Sequence, residues 1–472
     1  MPGDALTHSL PFDPANPKAA LAELPNAAAV FALYGAEAHA EPYIGRTPNL
    51  RARLERLLLP SPRHPRRLQL ASRVRRIGWR LTGSDFESLH LQFELLEQIY
   101  GPKVLDRMHL GAPTFIRYLG SNAYPRITVT NRVSLRPGQR EADWAYGPFQ
   151  SRAAAERYAE EALKLFLLRR CTFDLNPDPS YPGCVYSEMK MCLAPCYKGC
   201  TDERYSEEST AVESFLATRG ESRLVTLRTQ REQASADLEF ESAAALHAQV
   251  QKVEAVRALA PELVRPLSQL RAVILQASAN PDEVAVFLYE NAQLRGPAAF
   301  STLGMRIQNE QSGSSSLFAQ PMVIEPIPEA PEPRAEESES RTEPAPVHAD
   351  DLKGHRFSVA DKGRDSEGAL APEECLSTGA LEINPQPAKL PRGLLESRLE
   401  AALATLVEPT QSPSSTIRQG HLALLKRWYY RPEVRRSGEI FFFDSEGRWA
   451  IKPILRGIGR VAAKMLTAAH RG

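Results

Sequence analysis

Four cysteines, Cys171, Cys184, Cys192 and Cys196, fall within 26 residues, separated by twelve, seven and three residues. Thiolates are soft donors, and four that converge suit zinc or an iron–sulfur cluster. Structural zinc sites usually bring two close pairs, whereas only Cys192 and Cys196 are close here, so generic zinc-ribbon spacing fits poorly. Pro182, Gly183 and Pro195 punctuate the segment and let the backbone wrap a compact group. The basic neighbours Arg169, Arg170, Lys190 and Lys198 are expected to favour thiolate over thiol. The competing reading is a set of buried structural thiols. Cys200 is a spare one step further on, and Cys375 is assigned no role.

A chain of 472 residues implies about three domains. The formal net charge of +1 excludes a uniformly basic nucleic-acid binder but hides local asymmetry. Residues 46–80 carry eleven arginines and almost no acids. Arg66, Arg67, Arg73, Arg75 and Arg76 there form a stretch suited to phosphate contact, against the plainer reading of a solvated surface. No run of eighteen apolar residues occurs, so no membrane span is expected. The N-terminus lacks a charged region followed by an apolar core, so no secretory signal is expected. Six cysteines in a long chain without such a signal argue against a disulfide framework and for the cytoplasm.

Periodicity gives an α+β multidomain chain. Residues 1–20 are Pro- and Ala-rich and read as disordered. Residues 21–110 read as a small mixed domain, with strands at 28–34 and 42–45, a helix capped by Asn49, and an amphipathic helix over 85–100 stopped by Gly101-Pro102. Residues 111–220 hold a strand at 124–130, a helix over 153–168 and the cysteine segment. The polar, Ala-rich stretch 221–260 has the composition of an antiparallel helical hairpin. In 261–307 the alternating run at 283–289 is a strand. Residues 308–392, rich in Ser, Pro and Glu, read as a disordered linker, and 393–472 as a small C-terminal domain with a strand at 439–443.

Around the cysteines the chain resembles the UvrC excinuclease family. The stretches that carry the resemblance are YGPFQSRAAAERYAEEALKLFLLRRC, YPGC, KMCLAPCYKGC, ERY and FLATRG. It covers about residues 24–305. It implies that Cys171, Cys184, Cys192 and Cys196 hold a [4Fe–4S] cluster, with zinc as the alternative. ASADLEFESAAALHAQVQKV resembles the family's UVR hairpin, which implies a UvrB-like helicase subunit as partner. Leu238, Phe240, Ala244, Leu246 and Val250 would supply its apolar contacts. Where the family usually has Arg-Asp, this chain has His247-Ala248.

PYIGRTPNLRAR (42–53) resembles the second half of a GIY-YIG nuclease signature. Cutting a phosphodiester requires a base for water, cations for the developing charge and usually a carboxylate-held divalent metal. The resemblance implies those roles for Tyr43 and Arg53, with Arg46 where Lys is usual. Phe31 stands at the first signature tyrosine and lacks its hydroxyl. Gln92 stands where the metal-binding Glu belongs, and a neutral amide is a poor ligand for Mg²⁺. Mg²⁺ is therefore expected only if the module is active. The run EVAVFLYENAQLRG resembles only the opening of the family's second, RNase H-like nuclease, whose acid-bearing motifs do not follow. Gly457 and Gly459 fit the pattern of a helix–hairpin–helix that contacts phosphate through backbone amides, against the plainer reading of a single Gly-bearing amphipathic helix.

These features imply a UvrC-like DNA-binding protein of nucleotide excision repair with weakened or lost nuclease activity. Two alternatives stand beside it: an active structure-specific endonuclease making one incision, and an iron–sulfur or zinc scaffold with another nucleic-acid role.

Overall fold

The structure, a computed structural model, describes residues 5–37, 40–59, 70–132, 143–305, 390–407, 413–443 and 447–469. The linker expected at 308–392 lies outside these except for its last three residues, and Arg66, Arg67 and Cys375 also lie outside them.

The first layer is a four-stranded antiparallel sheet built from β1 (His8–Pro11), β2 (Ala29–Tyr34), β3 (Tyr43–Thr47) and β4 (Arg76–Leu81), in the order β1-β4-β2-β3. Helix α1 (Pro17–Ala22) and helix α2 (Leu50–Leu58) cover one face, where Leu21, Leu50 and Leu54 meet Ala29, Phe31 and Leu33. Asn49 caps α2 as expected, its side chain accepting the Ala52 amide at 2.9 Å. The expectation of disorder over 1–20 is corrected for residues 5–20. Leu6 and Phe12 are buried, β1 pairs with β4, and His8 stacks on Trp79. Composition hid this because one strand contributes only a few apolar contacts, and the sheet supplies the rest.

Helix α3 (Asp85–Tyr100) covers the other face, with Leu91 and Leu95 against Val30 and Ala32. Ser84 caps it, accepting the Glu87 amide, while the Glu87 carboxylate reaches back to the Gly83 amide. The helix buries residues on two faces and keeps one polar stripe, which holds Asp85 and Gln92. A short turn of helix, α4 (Val104–Arg107), closes the layer.

The second layer holds β5 (Thr114–Leu119), β6 (Arg126–Thr130) and β7 (Asp143–Phe149). Its helices are α5 (Arg152–Leu163), the four-residue α6 (Val185–Glu188), α7 (Asp202–Ala217), α8 (Glu221–Ala236) and α9 (Phe240–Ala258). The two-residue strand β8 (Arg265–Pro266) completes a sheet ordered β6-β5-β7-β8. The last two helices form the expected antiparallel hairpin.

The third layer is ordered β11-β10-β9-β12, from β9 (Ala272–Ala277), β10 (Glu283–Glu290), β11 (Gln293–Ser301) and β12 (Glu439–Phe442). Helix α10 (Arg392–Val407) and helix α12 (Ile451–Ala469) cover one face, while α11 (Ser415–Tyr429) lies on the other. Residues 261–307 and 393–472 are therefore one layer, which corrects their separation into a remnant and a domain of its own. β9 needs a partner on its free edge, and β12 provides it in an antiparallel register pairing Phe441 with Val273. The helix–hairpin–helix expectation is also corrected. Gly457 and Gly459 lie inside one continuous 19-residue helix, and Gly457 is required because a Cβ there would come within 2.5 Å of the Phe441 ring.

Helix α3 links the first layer to the third. Phe86 meets Phe287 and Trp428 at 5.2 Å between ring centroids, and Phe93 packs against Gly420 of α11. A Cβ at Gly83 would sit 2.1 Å from the Ser278 backbone. Replacing Gly83 with Ala is thus expected to cost about 1–3 kcal/mol through overpacking. Gly459→Ala, open to space in mid-helix, should gain about 0.5–1 kcal/mol. Urea unfolding midpoints of the two variants should move in opposite directions.

His421 of α11 lies in the same joint, accepting the Leu294 amide at 3.0 Å, with the His90 ring 5.2 Å away. Burial, and then His90, hold its imidazole well below the ordinary 6.5, so the folded protein keeps it neutral. The unfolded chain binds the proton first as pH falls below 6.5. Stability present above that pH is then lost on acidification, by up to about 1.4 kcal/mol per unit. Denaturation curves taken between neutral and mildly acidic pH should show this slope, and His421→Leu should flatten it.

Candidate functional site

The cysteine segment leaves α5 as irregular backbone and returns at α7. Cys184 caps the short α6, and Cys196 sits in a tight turn between Ala194 and Lys198, both in the left-handed region. Cys171, Cys184, Cys192 and Cys196 all line one small cavity, together with Arg169, Arg170 and Tyr186. The Cys192 sulfur accepts the Ala194 amide at 3.3 Å. Cys200 stands apart, packed against the core of the second layer.

The basic neighbours do not lower the Cys192 and Cys196 thiols as expected. Burial, and then the Cys171, Cys196 and Cys184 charges, push the Cys192 thiol up to about 11 against the pull of the Ala194 amide. Burial, then Cys184, also raises Cys196. Desolvation is the largest cause for both. Arg169, on the same cavity, donates one guanidinium nitrogen to the Phe173 carbonyl at 2.9 Å. Its other two guanidinium nitrogens are buried without a partner. Among the described residues no three Cys, His, Asp or Glu side chains close around a single ion. The donor set itself, four soft sulfurs around one cavity, fits a thiolate-held metal group.

In the first layer, register pairs Phe31 with Gly45 and Leu33 with Tyr43. The Phe31 ring covers Gly45 so closely that a Cβ would come within 2.7 Å, which accounts for the glycine. Tyr43 lies 6.1 Å from that ring and is 44% exposed. Strand alternation puts Tyr43 on the α2 side with half-buried Arg53's helix, and Arg46 on the α3 side. The structure thus brings Tyr43 to Phe31 but does not put Arg46 on their face.

Arg46 instead forms an ion pair with Asp85, in the first turn of α3. The same carboxylate holds Arg431, just beyond α11, at 2.5 Å. Burial, then the Arg427 and Arg431 charges, push the Arg46 guanidinium below its ordinary value. Gln92 is half-buried on α3, seven residues after Asp85, so helical period sets both on one stripe. Glu94 lies 3.7 Å from the buried His90. The sequence reading missed Asp85, Arg427 and Arg431. The seven-residue spacing from Gln92 was a signal for the first, but nothing local points to the other two.

Arg73, Arg75 and Arg76 are exposed around the start of β4. The Arg76 guanidinium stacks over the Tyr34 ring at 3.8 Å, and Arg75 donates to the Ser72 and Val74 carbonyls at 2.8 Å. The hairpin residues divide. Leu238 and Phe240, at the α8–α9 turn, are 71% and 67% exposed, and Ala244 is exposed. Val250 is buried with Val253 and Val256 in the second layer's core, and Leu246 packs partly against it. Val250 is therefore removed from the expected partner surface, because its helix face is already covered.

Residues 116–215 match the model of the UvrC/Cho excinuclease middle domain. The chain is 31% identical to the UvrABC system protein C of Alcanivorax borkumensis over 216 residues, 46% of this chain and 34% of that protein. It is 29% identical to that of Aliivibrio fischeri, over 51% of this chain and 38% of the relative. With that of Ruminiclostridium cellulolyticum it shares 27% identity over 58% of this chain and 44% of the relative. The matches thus span less than half of the relatives' length. No solved structure matches the chain. No helix among the described residues is long and apolar enough to cross a membrane. The middle-domain match covers β5 through most of α7, cysteine segment included, so this stretch belongs to the UvrC/Cho middle-domain family, and the relatives that match about half of the chain are UvrABC system protein C.

Proposed function

We propose that this chain is a DNA-binding protein of nucleotide excision repair whose N-terminal module, of GIY-YIG type, has weakened or lost cleavage. The observation that carries the reading is the charge arrangement on α3. Gln92 stands where a metal-binding carboxylate belongs, and Asp85, the acid on the same stripe, is held between Arg46 and Arg431. Phe31 offers no hydroxyl beside Tyr43. Two acids of the third layer are likewise paired, Glu290 with Arg271 at 2.5 Å and Glu439 with Arg460 at 2.6 Å. The exposed Arg73, Arg75 and Arg76 supply phosphate contacts, and Leu238 and Phe240 at the hairpin turn supply an apolar contact for a UvrB-like partner.

The second reading, an active endonuclease, draws on the exposed Tyr43. One assay separates them. A lesion-bearing duplex incubated with the protein, Mg²⁺ and a UvrB-like subunit is expected to be bound and left intact. Gln92→Glu should then raise incision by about 10²-fold, the scale of a restored metal ligand. Incision by the unaltered protein that disappears in Tyr43→Phe would falsify the inactive reading.

In the same reading Cys171, Cys184, Cys192 and Cys196 hold a [4Fe–4S] cluster, with zinc as the alternative. The convergence of four thiols on one cavity supports it. When bound, the group would neutralise the clustered thiolates and cross-link an otherwise irregular segment. Anaerobic purification should give protein with iron, acid-labile sulfide and visible absorbance, and Cys192→Ser should lose them. Zinc without a visible band would replace the iron–sulfur assignment.

A further inference from the structure

Two guanidinium groups from distant parts of the chain pair with one carboxylate, and the charge of a third acts on the first of them. Arg46 comes from edge strand β3, Arg427 from the last turn of α11 and Arg431 from just beyond it. Asp85 pairs with Arg46 and Arg431, while Arg427 is anchored by a long hydrogen bond of 3.5 Å to the Met108 carbonyl. Three positive charges thus gather where one carboxylate is paired with two of them. Grouped like charges are costly unless an anion joins them, and local violations of this kind mark functional sites. The groups are also accessible, with side chains 28% exposed at Arg46, 41% at Asp85 and 25% at Arg431. Partial burial lowers the local dielectric and strengthens whatever anion binds there.

The joint that builds the site is rigid. Phe93 of α3 fills the space over Gly420 of α11, and Gly83 sits on the Ser278 backbone, so the arginines of α11 are held against β3. A planar guanidinium donates in pairs to carboxylate or phosphate oxygens, and Asp85 shows that the geometry accepts such a group.

We propose that Arg46, Arg427 and Arg431 form a binding site for a backbone phosphate of nucleic acid, built across the N-terminal layer and α11, in which Asp85 occupies the phosphate's place. The site rests on the reading of the chain as a DNA-binding protein and adds a contact separate from Arg73, Arg75 and Arg76. Phosphate entering it displaces the Asp85 carboxylate from one or both arginines, so Asp85 weakens binding while keeping the free site ordered.

The test is equilibrium binding of a fluorescent duplex to the full chain over a range of salt, comparing the unaltered protein with Arg427→Gln, Arg431→Gln and Asp85→Asn. Each arginine variant should reduce the slope of log affinity against log salt by about one and weaken binding by about tenfold at moderate salt. Asp85→Asn should instead tighten binding several-fold. Circular dichroism and urea midpoints report whether each variant is folded. Because Asp85→Asn is expected to gain affinity, a folding defect does not imitate the result. If the unaltered protein binds no DNA, both the functional reading and this site fail. If it binds, and the arginine variants keep its affinity and slope while Asp85→Asn gains nothing, the functional reading stands. The cluster is then only a latch between layers.

Discussion

The burial of α3 on two sides is the constraint on which the rest of the molecule depends. Leu91 and Leu95 close the core of the first sheet, and Phe86, Leu89, Phe93 and Leu96 close a second core formed with the third layer and α11. One helix therefore serves two hydrophobic interiors. Complete burial of a phenylalanine contributes about 2 kcal/mol, so Phe86 and Phe93 together are a large share of what holds the layers together. The close approaches at Gly83 and Gly420 follow from that packing, since no larger residue fits between the surfaces. The polar face of α3 is then fixed in position, and with it Asp85 and Gln92.

Electrostatics follow packing in both candidate sites. In the cysteine segment, burial and the neighbouring sulfurs raise the Cys192 and Cys196 thiols, while Arg169 bonds the Phe173 carbonyl. A bound cation is what would turn four such thiols into ligands. At the α3 site the balance is reversed. Cations are in excess, and the one acid among them is shared. The first arrangement suits a positively charged group and the second an anion.

The hairpin shows the same division between inside and outside. The far ends of α8 and α9 close the second layer with Leu224, Leu227, Val253 and Val256, while the turn carries Leu238 and Phe240 into solvent. Exposed large apolar residues at a tight turn are costly to keep unless a partner covers them.

Local pattern by itself determined much of the chain. Alternation and capping gave β2, β3, α2, α3 and the α8–α9 hairpin, because these elements carry their signals within a dozen residues, as Asn49 does for α2. Spacing likewise marked the four cysteines that the fold brings around one cavity. Tertiary structure alone decided the rest. That β12 pairs with β9 across more than 150 residues depends on which strand edge is left free, and no local period records it. The glycines of α12 matched a hairpin pattern, yet Phe441 sets the reason for Gly457. Arg427 and Arg431 lie some 340 residues after Asp85 and look like ordinary helix-end cations. Arg431 meets Asp85, and Arg427 comes near Arg46, where the packing of Phe93 against Gly420 sets α11 on α3. A charge's partner is fixed by packing in space, and the sequence records only its neighbours along the chain.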